Sequence, residues 1–228
     1  MKKKSDLITR LLPYVTVTYF IILMADLTFT STNQPHLRWF SKPLIVLTLV
    51  TGLILLRNTI NKRYYIPWMI ALVFSWLGDV FLLLDESYFI PGLVAFLCAH
   101  LGYLLVFYRI RPKASIKKKS FLFTILLTIA LFILFYRIIL VETGNLFPAV
   151  LIYALVILAM WLLASFKALR RYQFNFWLWV GALLFVLSDS LLGYNKFVQF
   201  TPLISVLVML TYGLAQYGLF RGILKVEK

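Results

Sequence analysis

Two aspartates stand inside otherwise apolar runs: Asp79 in "SWLGDVFLLL" (75–84) and Asp189 in "FVLSDSLLGY" (185–194). A third, Asp26, lies near the end of the first apolar run. An acid at the centre of a helix in lipid costs roughly 2.5–3.5 kcal/mol on insertion scales. Each should therefore face a bundle interior and have a partner. Asp26, close to a helix end, reads as a structural hydrogen-bonding or rim position. Asp79 and Asp189 read as functional. Each precedes the outer end of its predicted helix by about five residues, or about 7 Å, which places the two carboxylates at matching depth.

His100 lies in "FLCAHLGYLLVFY", about 16 Å along its helix from Phe89 and so near the midplane. Tyr103 follows at i+3 on the same face. A lone intramembrane histidine also serves as an interhelical donor. Carboxylates with a histidine and a tyrosine below them suit acid–base chemistry: one acid holds a proton and donates it, the other stabilises a cation or activates water. Asp85 and Glu86 fall in a short outer loop. Glu86 reads as solvated, and Asp85 is left open. His36 is in an outer loop, and Cys98 is the single cysteine, read as a small core side chain. A zinc centre is not expected from these; a two-acid cation site stays open.

Lys42 follows Ser41 and precedes Pro43, which reads as an N-cap followed by a proline near the first helical position. A lysine there is either an anion site for a lipid phosphate or a snorkelling side chain at the interface. In "LVMLTYGLAQYG", Tyr212 and Gln216 share a helix face at i+4 beside Thr211, and interhelical hydrogen bonding is the plain alternative to a binding role. Trp39, Trp68 and Trp177, near span ends, read as interfacial belts.

The elements that must position these residues are eight apolar spans, near 11–30, 43–57, 66–84, 89–108, 120–140, 146–166, 174–194 and 202–221. About 20 residues cross the hydrocarbon as a helix. Pro67, Pro91, Pro148 and Pro202 are expected at span starts, where a missing N–H costs little. Of the lysines and arginines, all but Arg38, Lys42, Arg137 and Lys196 fall on one side of this arrangement, which makes both termini cytoplasmic. The basic start and first run resemble a signal peptide. Without a small-residue cleavage site, and with Asp26 inside, the run reads as a retained helix. The connections are too short to fold alone, so the chain reads as a single transmembrane helical domain. A weak echo between 77–82 and 187–192 hints at two halves related by an axis along the membrane normal.

Composition sets the solvent. The 228 residues are 62% hydrophobic and only 14% charged. That leaves too little polar surface for a water-soluble domain. The formal net charge of +15 comes from short basic clusters between apolar runs, so they read as orientation signals and not as a nucleic-acid surface. The fold class is all-α, a polytopic membrane bundle, and the expected location is the plasma (inner) membrane of a bacterium.

The motifs taken together resemble the YhhN-like lysoplasmalogenase family. The matching pieces are "SKPL" (41–44), "GDVFLL" (78–83), "FIPGLVAFLCAHLGY" (89–103), "GALLFVLSDSLLGYNKF" (181–197) and "TYGLAQ" (211–216). They run in family order along nearly the whole chain. One departure is the glycine after Tyr212, where a second aromatic is expected. The resemblance implies an eight-span bundle that hydrolyses the vinyl ether bond of lysoplasmalogens, as an alkenylglycerophosphocholine or alkenylglycerophosphoethanolamine hydrolase. It implies no organic cofactor. It points to Asp79, Asp189, His100 and Tyr103 for catalysis, and to Lys42, Gly78, Ser188, Tyr212 and Gln216 for the lysophospholipid. Gly78 would admit a neighbouring helix closely.

Two carboxylates fit that reaction. Protonation of a vinyl ether at carbon gives an oxocarbenium ion, water adds, and the hemiacetal collapses. Aspartyl proteolysis ranks low, because Trp76 stands where Gly-x-Gly-Asp needs its first glycine. The alternative from another class is a lipid transporter, receptor or lipid-binding membrane protein that uses the same residues without reaction. Oligomeric state is not legible.

Overall fold

The computed structural model describes residues 2–110, 116–169 and 174–226, with side chains from residue 7 onward. Of the basic residues used for orientation, Arg111, Lys113, Arg170, Arg171 and Lys228 lie outside the described residues. The described residues form eight long helices and no strand: α1 Lys2–Ser31, α2 Pro35–Leu55, α3 Lys62–Phe81, α4 Phe89–Arg109, α5 Lys118–Ile138, α6 Phe147–Ala168, α7 Phe176–Phe197 and α8 Pro202–Val226. All eight contain stretches long and apolar enough to cross a membrane. The protein is an all-α, multi-pass membrane protein. Apart from their end turns, helices satisfy their backbone polar groups within the segment, as lipid requires.

Local chemistry sets the ends. Asn61 caps α3, its side chain accepting from the Arg63 N–H at 2.9 Å. Asn175 caps α7 through the Leu178 N–H, and its amide also donates to the Gly222 carbonyl at 2.8 Å. Side-chain oxygens at these caps accept from backbone groups that have no partner inside the helix. Pro91, Pro148 and Pro202 fall in the first turns of α4, α6 and α8.

Two expectations fail here. Helix α2 begins at Pro35, not near 43, with Gln34 before it, and Pro43 lies inside it. Ser41 is therefore not an N-cap, and Lys42 is a helix-interior residue. The polar residues His36 and Arg38 make this stretch look like loop to a hydropathy count. Pro35 nevertheless opens the helix, and Arg38 finds an acid on α1. Likewise α3 begins at Lys62, so Pro67 lies beyond its first turn and Trp68 is fully buried rather than interfacial. Trp39 and Trp177 are exposed, as expected.

The chain divides into two compact units. The first holds α1 to α4 with the end of α8 from Leu224. In it α1 packs on α2, α2 on α3, and α3 on α4. The α3–α4 approach is close at Gly102, while Gly78 makes room for the Phe96 ring. A Cβ on Gly102 would lie 2.9 Å from the Ala71 backbone nitrogen, and one on Gly78 would lie 2.6 Å from the Phe96 ring. The pairs Gly102–Ala71, Phe96–Gly78 and Leu82–Gly92 fix an antiparallel register.

The second unit holds α5 to α7 and α8 up to Ile223. Helix α6 packs on α5 and α7. Helices α7 and α8 meet backbone to backbone, since a Cβ on Gly181 would lie 2.6 Å from the Leu219 nitrogen. Helix α5 buries only Thr124 and presents Leu122, Phe123, Leu126, Ile133 and Leu134 outward, a lipid-facing surface.

Candidate functional site

Within the first unit, polar side chains gather on α2. Arg38, Ser41 and Lys42 occupy one helix face, at i, i+3 and i+4. The first two reach α1: Ser41 Oγ donates to Asp26 Oδ1 at 2.7 Å, and Arg38 Nε and Nη2 each donate to an Asp26 oxygen at 3.4 Å. Asp26 is fully buried. The structural reading of Asp26 matches this: it joins two helices through a neutralised hydrogen-bonded cluster, the form in which a charge tolerates lipid depth.

Lys42, on the same face, reaches α3. Its Nζ lies 3.8 Å from Asp79 Oδ1 on α3, with both side chains almost wholly buried. This pairing was not foreseen. It replaces the helix-terminus anion site and the snorkelling lysine with a buried ion pair. Such a pair persists only with close geometry and further hydrogen bonding, because each charge loses its water.

The buried face of α3 carries Trp68, Ala71, Leu72, Ser75, Gly78 and Asp79. Ser75 is one turn before Asp79, and its Oγ has no hydrogen-bond partner among the described residues. Ser190, Thr124 and Thr128, by contrast, bond the carbonyl four residues back. The α3–α4 register puts Asp79 level with about residue 95 of α4, so His100 and Tyr103 lie about 8 and 12 Å further along the axis. Both are fully buried. Tyr103 stacks on Phe107, with ring centroids 6.1 Å apart. The sequence missed Ser75; its i−4 spacing from Asp79 was the available signal.

The second unit places its residues on two different seams. Asp189 on α7 faces α6, where the Tyr153 hydroxyl donates to its Oδ2 in a short hydrogen bond. Ser188, the preceding residue, faces α8 and donates to the Val208 carbonyl at 3.2 Å. Gln216 Nε2 donates to the Tyr212 hydroxyl at 3.2 Å, which confirms their shared face. Tyr212 meets Phe185 edge-on at 5.6 Å. Adjacent helical residues point about 100° apart, so Ser188 and Asp189 cannot serve one seam. Ser188 and Tyr212 pack α7 on α8, and Asp189 packs α7 on α6.

The equal setback of the two aspartates does not hold along their helices. Asp79 is two residues from the end of α3, and Asp189 is eight residues from the end of α7. The hydropathy count ran past the true end of α3 at Phe81. It also stopped short on α7, whose last turn carries Asn195 and Lys196. Asn195 belongs to the α7–α8 connection, accepting from the Thr201 N–H at 2.7 Å and donating to Ser205 Oγ at 2.9 Å.

Asp85 now has a local explanation. Its carboxylate accepts from the Ser87 hydroxyl and from the Ser87 N–H at 2.8 Å, capping the turn that leads into α4. The Ser87 hydroxyl and then its N–H hold the Asp85 carboxyl below the ordinary range. Glu86 and His36 are exposed, and Cys98 is only half-buried rather than core. Among the described residues, no three of His, Cys, Asp and Glu converge as metal ligands.

The model of the YhhN family matches residues 37–223. That range contains every candidate residue above except Asp26 and His36. No curated protein and no solved structure matches the chain.

Proposed function

This chain belongs to the YhhN family, which includes lysoplasmalogenases, and from that premise we propose that it hydrolyses the vinyl ether bond of lysoplasmalogens. The products are a fatty aldehyde and a glycerophospho-alcohol. The observation that carries the reading is a carboxylate, Asp79, buried beside Lys42 in an intramembrane helix seam, with Ser75 one turn away and His100 further in. An ion pair in lipid is too costly to be incidental.

The chemistry follows the bond. The proton goes to the vinyl carbon distal to the oxygen, leaving an oxocarbenium ion. Water adds at the carbon bonded to oxygen and releases a proton. The resulting hemiacetal breaks its C–O bond, and the alcohol leaves as the aldehyde forms. The first step needs a positioned acid, and the cation needs a negative charge nearby. Asp79 and Asp189 are proposed for these two roles. His100 and Tyr103 are proposed to orient water or the ether oxygen. Lys42 acts as the charge partner of Asp79. The expected setting is the inner membrane of a bacterium, with the lysophospholipid drawn from the bilayer.

The test is product analysis with purified protein and a panel of 1-alkenyl, 1-alkyl and 1-acyl lysophospholipids. Aldehyde from the alkenyl substrates alone supports the proposal. Saturable binding with no product assigns the protein instead to lipid transport, reception or binding.

A further inference from the structure

We infer that Tyr153 is a positioning residue that holds the Asp189 carboxylate in its working orientation, an inference that rests on the hydrolytic reading above. Nothing in the sequence motifs singled out Tyr153. It lies in "FPAVLIYALVILAMW", where a tyrosine passes for one more bulky apolar side chain. The structure gives it a specific task.

Tyr153 is 7% exposed on α6, and its hydroxyl donates to Oδ2 of Asp189. A phenol buried in a helix seam needs a hydrogen-bond partner, and a carboxylate in lipid needs donors. Each answers the other. The bond also removes a freedom. A free aspartate side chain samples several rotamers, and a tethered one keeps a single carboxylate direction. Asp189 keeps partial exposure while Tyr153 does not. The tyrosine thus holds the carboxylate from the α6 side, while part of the Asp189 side chain stays uncovered. Ser188 does not share this task, because its hydroxyl is committed to Val208 on α8. A carboxylate locked by a second residue is how reacting groups are kept within the narrow tolerance that catalysis demands.

The experiment uses the full-length protein in detergent or nanodiscs and the isosteric variant Tyr153→Phe. Two readouts are taken. The first is kinetic. Loss of the tether should lower kcat by about 10- to 100-fold, the scale of one hydrogen bond to a charged group, with KM within about twofold of wild type. The second is infrared. The carboxylate stretch of Asp189 is isolated with carbon-13 aspartate labelling and subtraction of the Asp189→Asn spectrum, and it should shift in Tyr153→Phe. Unchanged kcat, or a loss that only tracks a lower folded fraction, overturns the inference. So does an unshifted Asp189 band. The infrared readout does not depend on the reaction, so it reports on the tether even if wild-type protein releases no aldehyde. That latter result would fall on the function proposed above.

Discussion

Lys42 and Asp79 form a buried ion pair across the α2–α3 seam, Nζ to Oδ1 at 3.8 Å. Neither residue sits where a hydropathy profile put it. Lys42 is inside α2 rather than at its start, and Asp79 is at the very end of α3 rather than a turn and a half before it.

If the pair is a matched charge couple, its members are not independent. Lys42→Met should destabilise the protein by about 3–5 kcal/mol, because Asp79 is left buried without its counter-charge. Lys42→Met/Asp79→Leu should be more stable than the sum of its single variants implies. Unfolding in detergent checks this, and additive losses would show that the pair carries no coupling.

The proposed chemistry makes a sharper demand on both aspartates. Asp79→Asn and Asp189→Asn should each reduce aldehyde release by at least about 100-fold, the lower end of general acid–base contributions. Both should still be recovered from the membrane fraction. Retained turnover in either variant removes that residue from the mechanism.

Asp26 should behave differently. It binds Ser41 and Arg38 and joins α1 to α2, and it lies outside the matched family region. Asp26→Asn should cost about 1–3 kcal/mol of stability through weakened charged hydrogen bonds. Specific activity of the folded fraction should stay near wild type. A catalytic defect with normal stability would move Asp26 into the reactive set.

Helix α7 meets α8 with no room at Gly181, where the obstructing atoms are backbone: the Leu219 nitrogen and the Gly218 carbonyl carbon at 2.8 Å. Gly181→Ala should destabilise by about 1–3 kcal/mol, the usual range for overpacking. Thermal unfolding that matches wild type would show that the helices part without cost.

Orientation is tested from outside. Asp85 and Lys196 are both exposed and both belong to ends assigned to the non-cytoplasmic side. Asp85→Cys and Lys196→Cys should react with an impermeant thiol reagent in intact cells. Reaction only after lysis would invert the topology.

The helices themselves were legible. Leucine, isoleucine, valine and phenylalanine in runs of 20 or so admit one reading when the solvent is lipid, and α4, for example, fell within a residue of its expected span. The site was legible in part. Asp79, His100 and Asp189 stood out because polar groups are rare and costly in such runs. Tyr153 did not, since tyrosine is common in this chain and its hydroxyl is invisible to hydropathy. Lys42 was noticed but given the wrong surroundings, because the count placed its helix start eight residues late.

The sequence by itself determined the solvent, the number of crossings, and the fact that acids within its spans need partners. Tertiary structure alone decided which partners: Arg38 and Ser41 for Asp26, Lys42 for Asp79, and the Tyr153 hydroxyl for Asp189. The reason is geometric. Each partner stands on another helix, and a one-dimensional pattern carries no record of how far a helix is rotated about its own axis. Packing fixes that rotation, through close approaches such as Gly78 on Phe96 and Gly181 on Leu219, and with it the direction in which every buried side chain points.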